Sequence, residues 1–201
     1  MLPPRIVIAS RNAHKLREIR AICHDWPVAW VEDADWPEVE ETGAAYLENA
    51  RLKAHAVARA TGEPTLADDS GIEVDALGGA PGPRSARYAG EGATDEANLR
   101  ALLQAIRGVP AGGRTARYRA VAVLAWPDGR EVAAEGVCEG TLRTKPAGDG
   151  GFGYDPVFEP AGWEVTMAEL TPEEKDRISH RGQALRSIRR EEGRESRSAV
   201  E

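Results

Sequence analysis

The sequence predicts an α/β protein built on a mixed sheet, and two observations predict it. Short β-rich runs alternate with helical patterns through the first half of the chain. A long alternating run, Arg117 to Trp126, meets a second one, Glu131 to Leu142, across Pro127-Asp128-Gly129, which reads as an antiparallel hairpin. A hairpin added to strand–helix alternation makes the sheet mixed rather than all-parallel. The length of 201 residues suits one domain or two closely packed lobes and is ample for a sizeable core.

The elements follow in order. Arg5 to Ala9 reads as a buried strand, ending in the polar loop Ser10-Arg11-Asn12-Ala13-His14-Lys15. A helix is expected from about Ala13 to Asp25, with Leu16, Ile19, Ile22 and Cys23 on one face and Pro27 beyond its end. Such a strand–loop–helix junction is a common phosphate cradle, because a helix N-terminus offers unpaired N–H groups and a positive dipole end. The loop lacks the glycines of a P-loop, and an ordinary strand–loop–helix is the plainer reading.

Val28 to Val31 reads as a second strand, and the acidic stretch Glu32 to Glu41 as a solvated loop. A helix from about Ala44 to Ala60 follows, with Tyr46, Ala50, Ala54 and Val57 as its apolar stripe and Gly62 and Pro64 as stops. Asn49 and Lys53 lie on or beside that stripe and read as helix-surface residues. The glycine- and proline-rich segment Gly78 to Tyr88 is too long for a tight turn, and loops of that length are often functional. Thr94 caps a helix ending near Arg107. Thr171-Pro172-Glu173-Glu174 is a capping box with proline at the first helical position. The last helix carries Ala184, Leu185 and Ile188 on its apolar face. Residues 1–190 are read as the folded domain, and the charged residues 191–201 as a frayed, disordered tail.

Composition excludes several functions. A net charge of −7 argues against a general nucleic-acid binder, and no aromatic-rich strand pair suggests an RNA-binding module. The two cysteines, Cys23 and Cys138, form neither a disulfide framework nor a zinc motif. No signal peptide and no apolar run long enough to span a membrane are recognised, so the cytoplasm is the expected location.

The stretch with the most chemistry is Thr65 to Asp75, where an apolar run delivers Asp68 and Asp69 side by side, followed by Ser70 and Gly71. Two adjacent carboxylates at a strand end repel each other and favour a cation between them, or one retained proton. Mg²⁺ is such a cation, and a carboxylate not spent on it can take a proton from a metal-bound water. A solvated acidic turn is the alternative. A second unusual stretch, Gly148 to Pro156, combines four glycines with Phe152 and Tyr154, which would offer a flat face to a base; a glycine-rich turn with a packed aromatic is the alternative. The polar residues then sort into an acidic set (Glu40 or Glu41, Asp68, Asp69) and a basic one (the Ser10–Lys15 loop, Lys53, Lys175, His180, Arg181). That division suits Mg²⁺-assisted cleavage of a phosphoanhydride.

These motifs resemble those of the inosine/xanthosine triphosphate pyrophosphatase family, which acts on non-standard purine nucleoside triphosphates. The matching runs are Ser10-x-Asn12-x-x-Lys15, Glu40-Glu41-Thr42-Gly43 with Glu48-Asn49-Ala50-x-x-Lys53-Ala54, and Ala67-Asp68-Asp69-Ser70-Gly71. They continue with Gly78 to Gly82, Ser85 to Tyr88, Gly151-Phe152-Gly153-Tyr154-Asp155-Pro156 and Ser179 to Ala184. They stand in family order over nearly the whole chain. The resemblance implies an elongated mixed sheet flanked by helices, two lobes with a central cleft, a homodimer, and Mg²⁺-dependent hydrolysis of ITP, dITP and XTP to monophosphate and pyrophosphate. It implies Asp69 as the proton acceptor and a metal ligand, Glu41 as the second ligand with Glu40 as competitor, and Asp68 as a further acidic contributor. It implies Ser10, Arg11, Asn12, Ala13, His14, Lys15 and Lys53 as the phosphate grip. Ser70, Phe152, Gly153, Tyr154, Asp155, Lys175, His180 and Arg181 would surround the nucleotide, with Phe152 stacking on the base. The first loop departs from the family in Ser10-Arg11, where threonine-glycine is frequent, and in His14, where glycine is frequent. A donor such as Arg181 or a backbone N–H aimed at a 6-oxo group would favour hypoxanthine and xanthine over adenine. A house-cleaning pyrophosphatase for modified pyrimidine or methylated nucleotides and a catalytically inactive nucleotide-binding protein are the competing readings.

Overall fold

A computed structural model describes residues 2–31 and 34–198. Glu32 and Asp33, at the start of the acidic stretch, and the tail residues Ala199–Glu201 lie outside the described residues. The strands are β1 (Arg5–Ile8), β2 (Ala29–Val31), β3 (Thr65–Val74), β4 (Thr115–Ala125), β5 (Glu131–Leu142) and β6 (Phe158–Pro160). The α-helices are α1 (Ala13–Ile22), α2 (Tyr46–Thr61), α3 (Asp95–Ala105), α4 (Pro172–Ile178) and α5 (His180–Ser198). The six strands form one sheet in the order β2-β1-β3-β4-β5-β6. β1 pairs in parallel with both β2 and β3, whereas β5 and β6 pair antiparallel, so the sheet is mixed as expected. No helix among the described residues is long and apolar enough to cross a membrane.

The chain divides into two compact units. The first comprises residues 1–69, 120–136 and 181–201, and the second residues 70–119 and 137–180. The chain passes from one to the other inside two of the motifs, between Asp69 and Ser70 and between His180 and Arg181.

In the first unit the strands alternate strictly, and the alternation builds two cores. Ile6, Ile8, Leu66, Ala120, Ala122 and Leu124 pack with Ile19 and Cys23 of α1 and Leu185 and Ile188 of α5. Val7, Ala67, Val121, Val123 and Ala125 pack on the other face with Tyr46, Ala50, Ala54 and Val57 of α2. The second unit has its own core, in which Ile72, Val74, Tyr118, Leu142 and Phe158 pack with Leu102 and Ile106.

Local chemistry fixes the helix ends. Asn12 Oδ1 accepts from the N–H groups of His14 (2.9 Å) and Lys15 (3.2 Å) and starts α1. α2 begins at Tyr46 rather than Ala44, because Glu48 turns back to accept from the N–H groups of Ala44 and Ala45 and keeps those residues outside the helix. Gly62 ends it with φ of 70°, a conformation that favours glycine. The predicted capping box at Thr171 and Glu174 is present with both of its hydrogen bonds.

Three expectations are corrected. Asp68 to Gly71 is not a turn: β3 runs unbroken from Thr65 to Val74, paired on both sides in the sheet interior. α1 stops at Ile22, not Asp25, where Cys23 leaves helical geometry. The Gly78–Tyr88 segment is no tight turn, as expected, and internal bonds pin it: Ser85 Oγ accepts from Ile72 N (2.9 Å) and donates to Gly82 O (2.6 Å). The tail boundary at Glu191 is not structural either, since α5 continues to Ser198 and buried Glu192 pairs with Arg130 at 3.2 Å. β6 was not anticipated, because three residues carry no periodic pattern and pairing with β5 creates the strand. Gly140 admits that pairing, since a Cβ there would lie 2.3 Å from the Glu159 carbonyl oxygen.

Candidate active site

Strand periodicity decides what becomes of the two adjacent aspartates. Successive residues of a strand point to opposite faces. Asp68 therefore shares the face of Leu66 with α1 and α5, and Asp69 shares the face of Ala67 with α2. The expectation of a cation held between the two carboxylates is thereby corrected.

Asp68 is buried among cations. Its Oδ2 accepts from Arg181 Nε (3.1 Å) and Nη2 (3.0 Å) and lies 3.3 Å from Lys15 Nζ. Arg181 Nη1 binds Glu18 on α1. Burial alone would raise the Asp68 carboxyl, but the charges of Lys15, Arg181 and Lys53 outweigh it and hold the group far below the usual carboxylate range. Burial depresses Lys15 against the pull of Asp68, whereas Asp68 and Glu18 keep Arg181 above its ordinary value despite burial. Asp68 Oδ1 has no hydrogen-bond partner among the described residues.

Asp69 stands in a different field. Burial raises its carboxyl, Lys53, Lys15 and a hydrogen bond from Asn49 pull against the rise, and Glu41 adds to it. Asn49 Nδ2 donates to Asp69 Oδ2 at 3.0 Å, and Asn49 Oδ1 accepts from Gly43 N at 2.8 Å. One fully buried amide thus ties β3 to the segment that follows Glu41. Asn49 is a core residue, not the helix-surface residue its position suggested. Gly43 is needed beside it, because a Cβ there would lie 2.7 Å from Asn49 Oδ1.

Lys53 Nζ donates to Glu41 Oε1 (2.6 Å) and to the carbonyl oxygen of Asp68 (2.6 Å). Half-buried Glu41 is thereby held at the site, while Glu40 is exposed. Among the described residues no three carboxylates, histidines or cysteines form a metal cluster. The two-carboxylate set of Glu41 and Asp69 does fit Mg²⁺, which takes one or two carboxylates and completes its shell with waters and phosphate oxygens.

The phosphate-loop candidates sit at the head of α1. Ser10 Oγ accepts from Asn12 N at 3.2 Å, so Ser10 and Asn12 shape the loop's own backbone. Arg11, Ala13 and His14 are exposed; Arg11 donates to Trp36 O (2.9 Å) and His14 Nδ1 meets Arg17 at 2.8 Å.

The model of the Ham1 family matches residues 6–191. This chain belongs to the Ham1 family. A dITP/XTP pyrophosphatase of Streptomyces coelicolor is 51% identical over 189 residues, covering 92% of this chain and 94% of that protein. One from Methylococcus capsulatus is 50% identical over 184 residues, covering 90% and 92%. Among solved structures, a HAM1 protein from Coxiella burnetii matches with a TM-score of 0.83 and 41% identity, over 94% of this chain and 96% of its own. The family resemblance read from the motifs is borne out.

The remaining candidates of this Ham1 chain gather in its second unit, apart from Arg181. Buried Asp155 is their hub: Oδ2 accepts from Lys175 Nζ (2.6 Å) and Phe152 N (2.8 Å), and Oδ1 accepts from the Tyr118 hydroxyl (3.1 Å). Gly151 has φ of 69°, and a Cβ there would lie 2.0 Å from Asp155 Oδ2, so the turn requires glycine twice over. Gly153 N donates to Asp95 at 3.1 Å. Phe152 is half-buried, with Lys175 Nζ 5.1 Å from its ring centroid. Tyr154 is buried in the core and donates to Ser85 O at 2.7 Å. His180 stacks on Tyr118 at 4.6 Å, and half-buried Ser70 follows Asp69 along β3.

Sequence reasoning gave no role to several partners, among them Glu18, Asn49 and Tyr118. Asn49 carried one usable signal, since an amide on an otherwise apolar stripe needs partners when buried. Glu18 and Tyr118 carried none, because a charged residue on a helix and an aromatic in a strand are ordinary.

Proposed function

We propose that this chain is a dITP/XTP pyrophosphatase, hydrolysing ITP, dITP and XTP to the monophosphate and pyrophosphate. It would thereby keep these nucleotides out of DNA and RNA. The observation that carries the reading is Asp69: a buried carboxylate raised above its ordinary range, oriented by Asn49, beside Glu41 and two lysines. The names of the relatives at about half identity support the substrate class.

In this reading Asp69 accepts the proton of the attacking water at the α-phosphorus. A carboxyl with a raised pKa is a stronger base than an ordinary aspartate. Asn49 fixes the carboxylate by binding one oxygen. Glu41 and Asp69 would hold Mg²⁺, which would shield phosphate charge and acidify a bound water. Lys53 stands beside Glu41 and the Asp68 carbonyl oxygen, and Lys15 with the Ser10–His14 backbone grips the polyphosphate. Phe152 stacks on the base, with Ser70, Gly153, Lys175 and His180 beside the nucleotide. Arg181, whose guanidinium binds Asp68 and Glu18, supports the acidic strand, so recognition of the 6-oxo group falls to backbone N–H groups. A homodimer and a cytoplasmic location belong to the same proposal, and sedimentation and fractionation test them.

Product analysis with Mg²⁺ and ITP, XTP, GTP and ATP tests the reading. Pyrophosphate and monophosphate from ITP and XTP, with little from GTP and ATP, are expected. Orthophosphate with diphosphate would place the attack at another phosphorus and overturn it. Turnover confined to modified pyrimidine nucleotides would replace the substrate class while keeping the acidic site.

A further inference from the structure

Tyr118 lies on β4 and belongs to neither glycine-rich nor acidic motif, yet it touches the two stretches from which the base-facing candidates come. Its ring stacks on His180 with centroids 4.6 Å apart and planes 7° apart. Its edge packs on Phe158 at 4.7 Å. Its hydroxyl donates to Asp155 Oδ1 at 3.1 Å, while the other oxygen of the same carboxylate holds Lys175 Nζ and Phe152 N. The side chain is 7% exposed, and a buried tyrosine hydroxyl is placed by the partner it finds.

We propose that Tyr118 is a positioning residue for the purine-binding groups, a role that rests on the pyrophosphatase reading above. The terminal torsion of an aspartate is broad, so a carboxylate bound through one oxygen can swing. The Tyr118 hydroxyl holds the second oxygen and fixes the plane in which Asp155 presents Oδ2. Phe152 and Lys175 take their places from that oxygen. The same ring fixes the plane of His180. One side chain thereby sets the stacking face, the neighbouring ammonium and the neighbouring imidazole.

Tyr118→Phe removes the hydroxyl and keeps the ring, so the core and the His180 stack survive. A lost hydrogen bond to a charged group corresponds to an effect on the order of tenfold. KM for ITP should rise on the order of tenfold while kcat stays within about threefold, because the groups affected hold the base and not the reacting phosphorus. Hydrogen exchange at the Phe152 amide, read without any nucleotide, should accelerate in Tyr118→Phe and in Asp155→Asn. The double variant should exchange no faster than Asp155→Asn alone, because both changes break one network. Wild-type KM together with wild-type exchange at Phe152 in Tyr118→Phe would overturn the assignment, and so would additive effects in the double variant. If the unaltered protein turns over no purine triphosphate, the pyrophosphatase reading falls on that result. The exchange data then decide alone whether Tyr118 positions Phe152.

Discussion

On the α1/α5 face of β3, Asp68 meets Lys15 and Arg181, and its carboxyl is held far below the ordinary range. On the α2 face, Asp69 meets an amide and the field of a second carboxylate, and burial leaves its carboxyl raised. The two residues are neighbours in sequence, equal in chemistry and both nearly inaccessible. What separates them is the two-residue period of the strand, which sends each to a different set of helices. An Asp-Asp pair in a sheet interior is thus two sites, one holding cationic side chains in place and the other, in the proposed reading, accepting a proton.

The comparison can be broken at several points. Asp69→Asn should cost the most activity, about 10²–10⁴-fold in kcat for ITP, the usual worth of a general base. Asn49→Ala should cost about 10–100-fold, the range typical of residues that orient a ligand carboxylate. Gly43→Ala presses on the Asn49 carbonyl and should reproduce part of that loss.

Glu41→Gln should raise the Mg²⁺ concentration needed for half-maximal rate, whereas Glu40→Gln, at an exposed position, should leave it near wild type. Equal effects of the two would show that the Lys53 contact does not mark the ligand.

The smallest effect is on the pH profile. The base must be ionised, so kcat/KM should decline on the acid side as Asp69, raised by burial, takes up a proton. The Asn49 hydrogen bond lowers that pKa, so Asn49→Ala should move the acid limb to higher pH. A limb that stays fixed would show that Asn49 does not hold the ionised carboxylate.

Much of the fold was legible because its signals are local. The capping box at Thr171 and the hairpin at Pro127–Gly129 depend on residues within a few positions of each other. The acidic pair was read as a strand end, with a turn as the alternative, because Asp-Asp-Ser-Gly is turn-like in composition, and what overrides composition comes from far away. Arg181 reaches Asp68 across 113 positions, and a polar strand interior is tolerable only with such a partner. The choice between Glu40 and Glu41 likewise depends on Lys53, twelve residues on, in a contact that spacing does not reveal. Tyr154 looked like a stacking face because Gly-Phe-Gly-Tyr reads as exposed, but its hydroxyl finds Ser85 and its ring enters the core.

The division of labour between Asp68 and Asp69 is tested most directly by measuring thermal unfolding and ITP turnover together for Asp68→Asn and Asp69→Asn at pH 7. A depressed carboxyl stabilises the fold above its unfolded pKa, and a raised one costs stability above its folded pKa. Asp68→Asn leaves Arg181 buried with reduced compensation, a change that typically costs about 3–5 kcal/mol, so its melting temperature should drop on the order of 10 °C. Asp69→Asn should melt at or above the wild-type temperature and lose about 10²–10⁴-fold in kcat for ITP. An Asp69→Asn protein with wild-type turnover of ITP, or an Asp68→Asn protein as stable as wild type, would contradict the account.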